Sequence, residues 1–124
     1  MGVLEPIVDA LERRGGGLPF TVERRVGAIA LSYGPGMGST ILHEPIEGVV
    51  LSYHRMSTPG FAVSTKGIGE GVKLNYCVSG RLEVSMADGH TMFMAPGDLS
   101  VETSTAWDFS FPCAFYEGVE LFLH

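Results

Sequence analysis

The stretch that decides the fold is LNYCVSGRLEVSMADGHTMFMAPGDLSVET, residues 74–103. It holds short apolar segments separated by three turn signals: Val78-Ser79-Gly80, Asp88-Gly89 and Pro96-Gly97-Asp98. Segments this short, with turns every ten or so residues, predict a sandwich or barrel of antiparallel strands. A two-residue loop at Ser79-Gly80 sets Tyr76 against Glu83 and Leu74 against Ser85, apolar against polar. A three-residue loop, Val78-Ser79-Gly80, sets Tyr76 against Leu82 and Leu74 against Val84, with Gly80 in the left-handed position, so it is the expected turn. The second turn allows two registers. A two-residue loop puts Val84 opposite Phe93; a three-residue loop puts Val84 opposite Met92 and Met86 opposite His90. Ala95-Pro96-Gly97-Asp98 has turn residues in suitable order, and Asp98 is expected to stabilise its own turn.

Working outward, the same texture extends in both directions. Val49–Met56 is the longest strand candidate, closed by Thr58-Pro59-Gly60, and Ser39–Glu44 is a short strand stopped by Pro45. Phe20–Glu23 and Ala28–Tyr33 alternate as strands do, and Gly34-Pro35-Gly36-Met37-Gly38 is a loop. Residues 57–71 carry few apolar anchors and suit an exposed connection with a short strand at Phe61–Ser64. Toward the C-terminus, Trp107, Phe109 and Phe111 alternate with polar residues, and a last strand spans about Phe115–Leu123 with a break at Glu117-Gly118. At the other end, Val3, Leu4, Ile7, Val8 and Leu11 share one face of a helix over 3–14, ended by Gly15-Gly16-Gly17. That helix packs on the barrel or on a second subunit, the former being commoner. The expected organisation is an N-terminal helix and glycine linker over 1–17 and a barrel over 18–124.

Composition bounds the function. The chain has 124 residues, enough for one domain with a real core. Its formal net charge is −6, with only 8 lysines and arginines, which disfavours direct binding to a nucleic-acid backbone. No apolar run approaches the length of a membrane span. Two cysteines, Cys77 and Cys113, lie far apart and form no Cys-x-x-Cys pattern. A cytoplasmic protein with reduced thiols is the default expectation.

Four segments together, "EPIEGVVLSYHRMST", "KLNYCVSGRLEV", "TMFMAPGDLSVET" and "FSFPCAFYEGVELFL", resemble the N-terminal sensing domain of AraC-type transcriptional regulators over about residues 40–124. The resemblance rests on the spacing from Tyr76 through Gly80 to Pro96-Gly97-Asp98. Phe111-Pro112 and Tyr116-Glu117-Gly118 add to it. It implies an all-β, cupin-like double-stranded β-barrel (jelly roll) that senses a small molecule and forms a homodimer. In such regulators a separate C-terminal half carries two helix-turn-helix units. Only Val119–His124 follow Gly118, so that half is expected to be absent from this chain, which fits either a sensor-domain fragment or a stand-alone relative.

Cupin enzymes hold a metal through a His-x-His pair, a nearby Glu and a later His. Here His43, His54, His90 and His124 are isolated, and Lys66–Glu83 has no histidine. No metal, cofactor or catalytic residue is therefore expected. The alternative is a small cupin enzyme with an unusual site, for example His54 and His90 with Glu102. For a ligand inside the barrel, the candidates are Tyr53, Arg55, Tyr76 and Trp107. Val49, Leu51, Tyr53 and Arg55 share one parity, read here as the inward one. An inward Arg55 would call for an anionic effector, whereas an Arg55 at the strand end would reach water. Tyr76 and Trp107 offer a broad apolar face with one polar tip, a description that also fits plain core residues. His54, of opposite parity, is expected to face outward.

Overall fold

A computed structural model of the chain describes residues 2, 4–13, 20–57, 61–64, 71–85, 89–102, 108–111 and 115–123. One helix, α1 (Leu4–Arg13), precedes eleven strands: β1 (Thr21–Arg25), β2 (Ala28–Ser32), β3 (Gly38–Ile46), β4 (Val49–Met56), β5 (Phe61–Ser64), β6 (Val72–Gly80), β7 (Leu82–Ser85), β8 (Thr91–Met94), β9 (Leu99–Glu102), β10 (Asp108–Phe111) and β11 (Tyr116–Leu123). They form two antiparallel sheets, ordered β1-β2-β3-β4-β11-β6-β9 and β5-β10-β7-β8. The architecture is the double-stranded β-barrel that the resemblance implied, within the sandwich-or-barrel class predicted by the turn spacing, with one short helix among the described residues. No helix among the described residues is long and apolar enough to cross a membrane.

The expected hairpin at Val78-Ser79-Gly80 is not there. β6 pairs with β11 and β9, while β7 pairs with β10 and β8, so the chain changes sheet at this point. Gly80 does adopt φ +82°, as the turn reading required. It is needed for a second reason: a Cβ there would run into the carbonyl oxygen of Phe115, the residue just before β11. The matching of apolar faces that favoured a hairpin instead reflects two strands contributing to one interior.

The second turn resolves one open register. Val84 pairs with Met92 and Leu82 with Met94, as the three-residue alternative requires. Met94 is buried and Phe93 is exposed, with the Arg81 guanidinium stacked 4.6 Å from its ring centroid. The third turn returns the chain to the large sheet. Asp98 closes it by donating its amide to the Ala95 carbonyl and accepting the Ala95 amide on Oδ2 at 2.8 Å. Gly97, at φ +91°, donates to the Cys77 carbonyl, and Cys77 donates to the Asp98 carbonyl, which locks the turn onto β6.

Two irregularities shape the large sheet. Between β6 and β11 the register shifts so that Val78 is the extra residue opposite Glu117-Gly118, at the break expected from sequence. β3 does not stop at Pro45; a register shift between His43 and Ile46 carries it through to Ile46. Such an irregularity accommodates a residue with no amide proton to give to the ladder.

The helix packs on its own barrel. Leu4, Ile7 and Val8 join Ile29, Leu31, Leu42, Val50 and Phe122 in one buried cluster. Glu5 receives two hydrogen bonds from Arg24, at 2.6 and 3.0 Å, tying the first turn of α1 to β1.

Candidate functional site

The large sheet decides which side chains enter the barrel, and its parity is the reverse of the expected one. On β4 the buried residues are Val50, Ser52 and Met56, whereas Leu51 is 39% exposed. On β6 they are Lys73, Asn75 and Cys77, and on β11 Tyr116, Gly118 and Phe122. Tyr53 and Arg55 therefore lie on the outer face. The Tyr53 hydroxyl bonds Glu117, and the Arg55 guanidinium lies 5.9 Å from the Phe115 ring centroid. Tyr76 is on the outer face too, 44% exposed. Trp107 lies outside the described residues. The reason given for an anionic effector, an inward Arg55, falls away with this correction. His54, expected outside, points in.

In place of those candidates the interior holds a set of polar groups from adjacent strands. The register places Thr40 beside His54, Ser52 beside Glu120, Glu120 beside Asn75, and Asn75 beside Ser100. Lys73 lies one inward position from Asn75 along β6. Thr40, Ser52, Lys73, Asn75 and Ser100 are all buried. Sequence patterning overlooked them because hydrophobicity was taken as the mark of the inner face, and here both faces of β4, β6 and β11 carry apolar residues.

A chain of hydrogen bonds fixes one side of the cluster. Tyr33 Oη lies 2.8 Å from Thr40 Oγ1, which lies 3.0 Å from His54 Nδ1. Burial holds the His54 imidazole below its ordinary proton affinity; Glu120 opposes that shift and Lys73 reinforces it. For a neutral ring, the consistent arrangement has Tyr33 donating to Thr40 and Thr40 donating to Nδ1. The ring proton then sits on Nε2, 4.0 Å from Glu120 Oε2. Lys73 Nζ lies 4.0 Å from the other oxygen, Oε1. Burial also raises the Tyr33 phenol, so it stays a proton donor.

Two further features mark this as more than a satisfied core. The side chains of His54 and Glu120 point inward yet keep 26% and 18% of their surface exposed. Ser52 is 2% exposed and its hydroxyl has no hydrogen-bond partner among the described residues. Buried hydroxyls ordinarily have one.

The donor set does not suit a divalent cation. It offers one imidazole and one carboxylate, and the ammonium of Lys73 already competes for that carboxylate. No group of three His, Cys, Asp or Glu side chains among the described residues could hold a metal ion. His90, the other histidine of the alternative metal set, is exposed beside the smaller sheet, away from inward-facing His54.

No family model matches the chain, and no curated protein matches it by sequence. Solved structures do resemble it. A cupin superfamily protein from Desulfitobacterium hafniense aligns with a TM-score of 0.58 at 13% identity, covering 74% of this chain and 82% of the other. The Cupin_2 domain of an XRE family transcriptional regulator from Enterobacter cloacae aligns with a TM-score of 0.61 at 14% identity, covering 71% and 97%. A Cupin 2 conserved barrel domain protein from Salinispora arenicola aligns at 0.57 and 15% identity, covering 70% and 76%. The fold is that of the cupins.

Proposed function

We propose that the chain is the ligand-sensing domain of an AraC-type transcriptional regulator, non-enzymatic, with its effector held inside the barrel. The observation that carries the reading is the inward polar set of Ser52, His54, Lys73 and Glu120, in which His54 and Glu120 keep part of their surface exposed and the Ser52 hydroxyl has no hydrogen-bond partner among the described residues. The order of the sequence segments supports the AraC assignment. The likeness of the fold to the cupin domain of another regulator is consistent with it.

The charges of the site define the class of effector. Lys73 and Glu120 offset each other, and His54 is held neutral. A charged ligand would enter without a counter-charge, which is costly in a low-dielectric interior. A neutral molecule bearing several hydroxyls fits: Ser52, the Nε2–H of His54 and the Lys73 ammonium donate, and Glu120 accepts. A polyol or small sugar is the effector class that follows.

The test is calorimetric titration and thermal shift of the purified chain against pentoses, hexoses, polyols and small carboxylates. Stabilisation grows with the logarithm of ligand excess over Kd. A neutral polyhydroxy compound should bind the wild type and lose at least tenfold in affinity to Glu120→Gln. Binding of carboxylates alone, or binding untouched by Glu120→Gln and Ser52→Ala, would place the effector elsewhere.

A further inference from the structure

A lysine rarely stays inside a fold, because its long stem ordinarily carries the ammonium out to water. Lys73 is 6% exposed on the inner face of β6. In register it lies beside Phe122, and its Nζ sits 6.0 Å from the centroid of that buried ring. Glu120, one inward position along β11, has Oε1 4.0 Å from Nζ and Oε2 4.0 Å from His54 Nε2. A carboxylate that only neutralised a buried ammonium would close to about 2.8 Å. This pair stands open at 4.0 Å.

We infer that Lys73 holds its ligand covalently, as an imine, with Glu120 carrying the protons, so that the effector is a polyhydroxy aldehyde or ketone such as an open-chain sugar. The inference rests on the reading of the barrel interior as the effector site, and it adds a carbonyl to the hydroxyls that reading requires. An amine set against an aromatic wall with an acid–base group beside it has the parts a Schiff-base site needs. Ser52, opposite Glu120 in register, and the Nε2–H of His54 remain to hold the ligand's hydroxyls. The step balances. Lys73 Nζ passes one proton to Glu120, and its lone pair bonds the carbonyl carbon. The carbonyl π pair moves onto oxygen, which takes a second proton from Nζ. Glu120 then gives its proton to that hydroxyl, the C–O bond breaks, and water leaves as the nitrogen lone pair closes the C=N bond. One ammonium and one carbonyl become one protonated imine and one water, and nothing is oxidised or reduced.

Reductive capture tests this. The purified chain is incubated with glyceraldehyde and cyanoborohydride, which delivers hydride to the C=N bond and fixes the adduct as a secondary amine, and its peptides are mapped by mass spectrometry. The chain has two lysines, Lys66 and Lys73, so each is a reference for the other. Lys73 should be modified at least about tenfold faster in the folded chain than in denaturing urea, since the fold supplies the positioned acid–base group. A lysine with a purely structural role gives the opposite result, protected by the fold and released by urea. Glu120→Gln, with its circular dichroism unchanged, should slow capture at Lys73 by about a hundredfold at saturating glyceraldehyde. The rate at Lys66 should not change. Calorimetry with ribitol, a polyol without a carbonyl, separates the two readings. A wild type that binds ribitol but shows no preferred capture at Lys73 overturns the imine and leaves the polyol site standing. Preferred capture at Lys73 without ribitol binding keeps the imine and confines the effector to carbonyl compounds. Capture that is no faster in the folded chain than in urea, or that Glu120→Gln leaves untouched, overturns the inference.

Discussion

Replacing Ser52 by alanine should stabilise the protein while weakening what it binds. Ser52 is 2% exposed on the inner face of β4, and no described residue accepts or donates a hydrogen bond at its hydroxyl. Folding strips water from that group without compensation, which costs about 1–3 kcal/mol. Alanine removes the cost and gives up only the dispersion contacts of one oxygen atom. The net gain should be about 1 kcal/mol. For a chain of 124 residues that corresponds to a rise in Tm of about 4 °C, from an unfolding entropy of about 2.1 cal/mol/K per residue. Urea denaturation of both proteins without ligand should show a higher midpoint for the variant with the slope unchanged. On the proposed sensing role, titration with the effector should show the reverse order, because the ligand would supply the partner that alanine cannot meet. If Ser52→Ala instead loses about 1 kcal/mol, the hydroxyl already has a partner, such as an ordered water, and the cluster is a structural network rather than a binding site.

Three other outcomes follow from the same geometry. Gly80→Ala should cost at least about 1–2 kcal/mol, from the left-handed backbone alone, before the clash with the Phe115 carbonyl is counted, and should lower the urea midpoint accordingly. Val8→Ala should cost roughly 2 kcal/mol, since Val8 is fully buried where α1 meets the barrel and the truncation leaves a cavity. His54 is buried with its proton affinity held below the ordinary value of 6.5. As pH falls below that value the unfolded chain binds more protons than the folded one, so wild-type stability should decline with acidification. That slope should flatten in His54→Gln when unfolding is measured at pH 7.5, 6.5 and 5.5.

The fold was legible because turns are written in a few residues with strict backbone requirements. Gly80 takes positive φ where the reading placed it, and Asp98 caps the turn expected at Ala95-Pro96-Gly97-Asp98. Pairing between strands was less legible. Hairpin logic assumes that strands adjacent in sequence are adjacent in the sheet. The step from β6 to β7 breaks that assumption, because Gly80 and Arg81 carry the chain from one sheet to the other. A local sequence pattern holds no sign of such a crossing: aligned apolar faces look the same whether two strands share a ladder or face each other across a core.

The inward parity of the large sheet was misread for a more specific reason, and the misreading is informative. Parity can be read when one face of a strand is apolar and the other polar. In β6 the two faces are Lys73, Asn75 and Cys77, which are buried, against Leu74, Tyr76 and Val78, of which Tyr76 and Val78 are exposed and Leu74 is half-buried. A strand that puts lysine and asparagine inside and leucine and tyrosine outside gains nothing for its own stability by doing so. On the sensing role proposed above, the inward polar set is explained by a solute able to pair with Ser52 and Glu120. The reversed pattern also predicts what a stability-driven redesign would do. Exchanging Lys73 for methionine should leave a folded barrel that no longer binds the effector. Far-UV circular dichroism and titration with the effector would read those two properties separately. A variant that still bound the effector with wild-type affinity would show that the inward lysine does not serve binding.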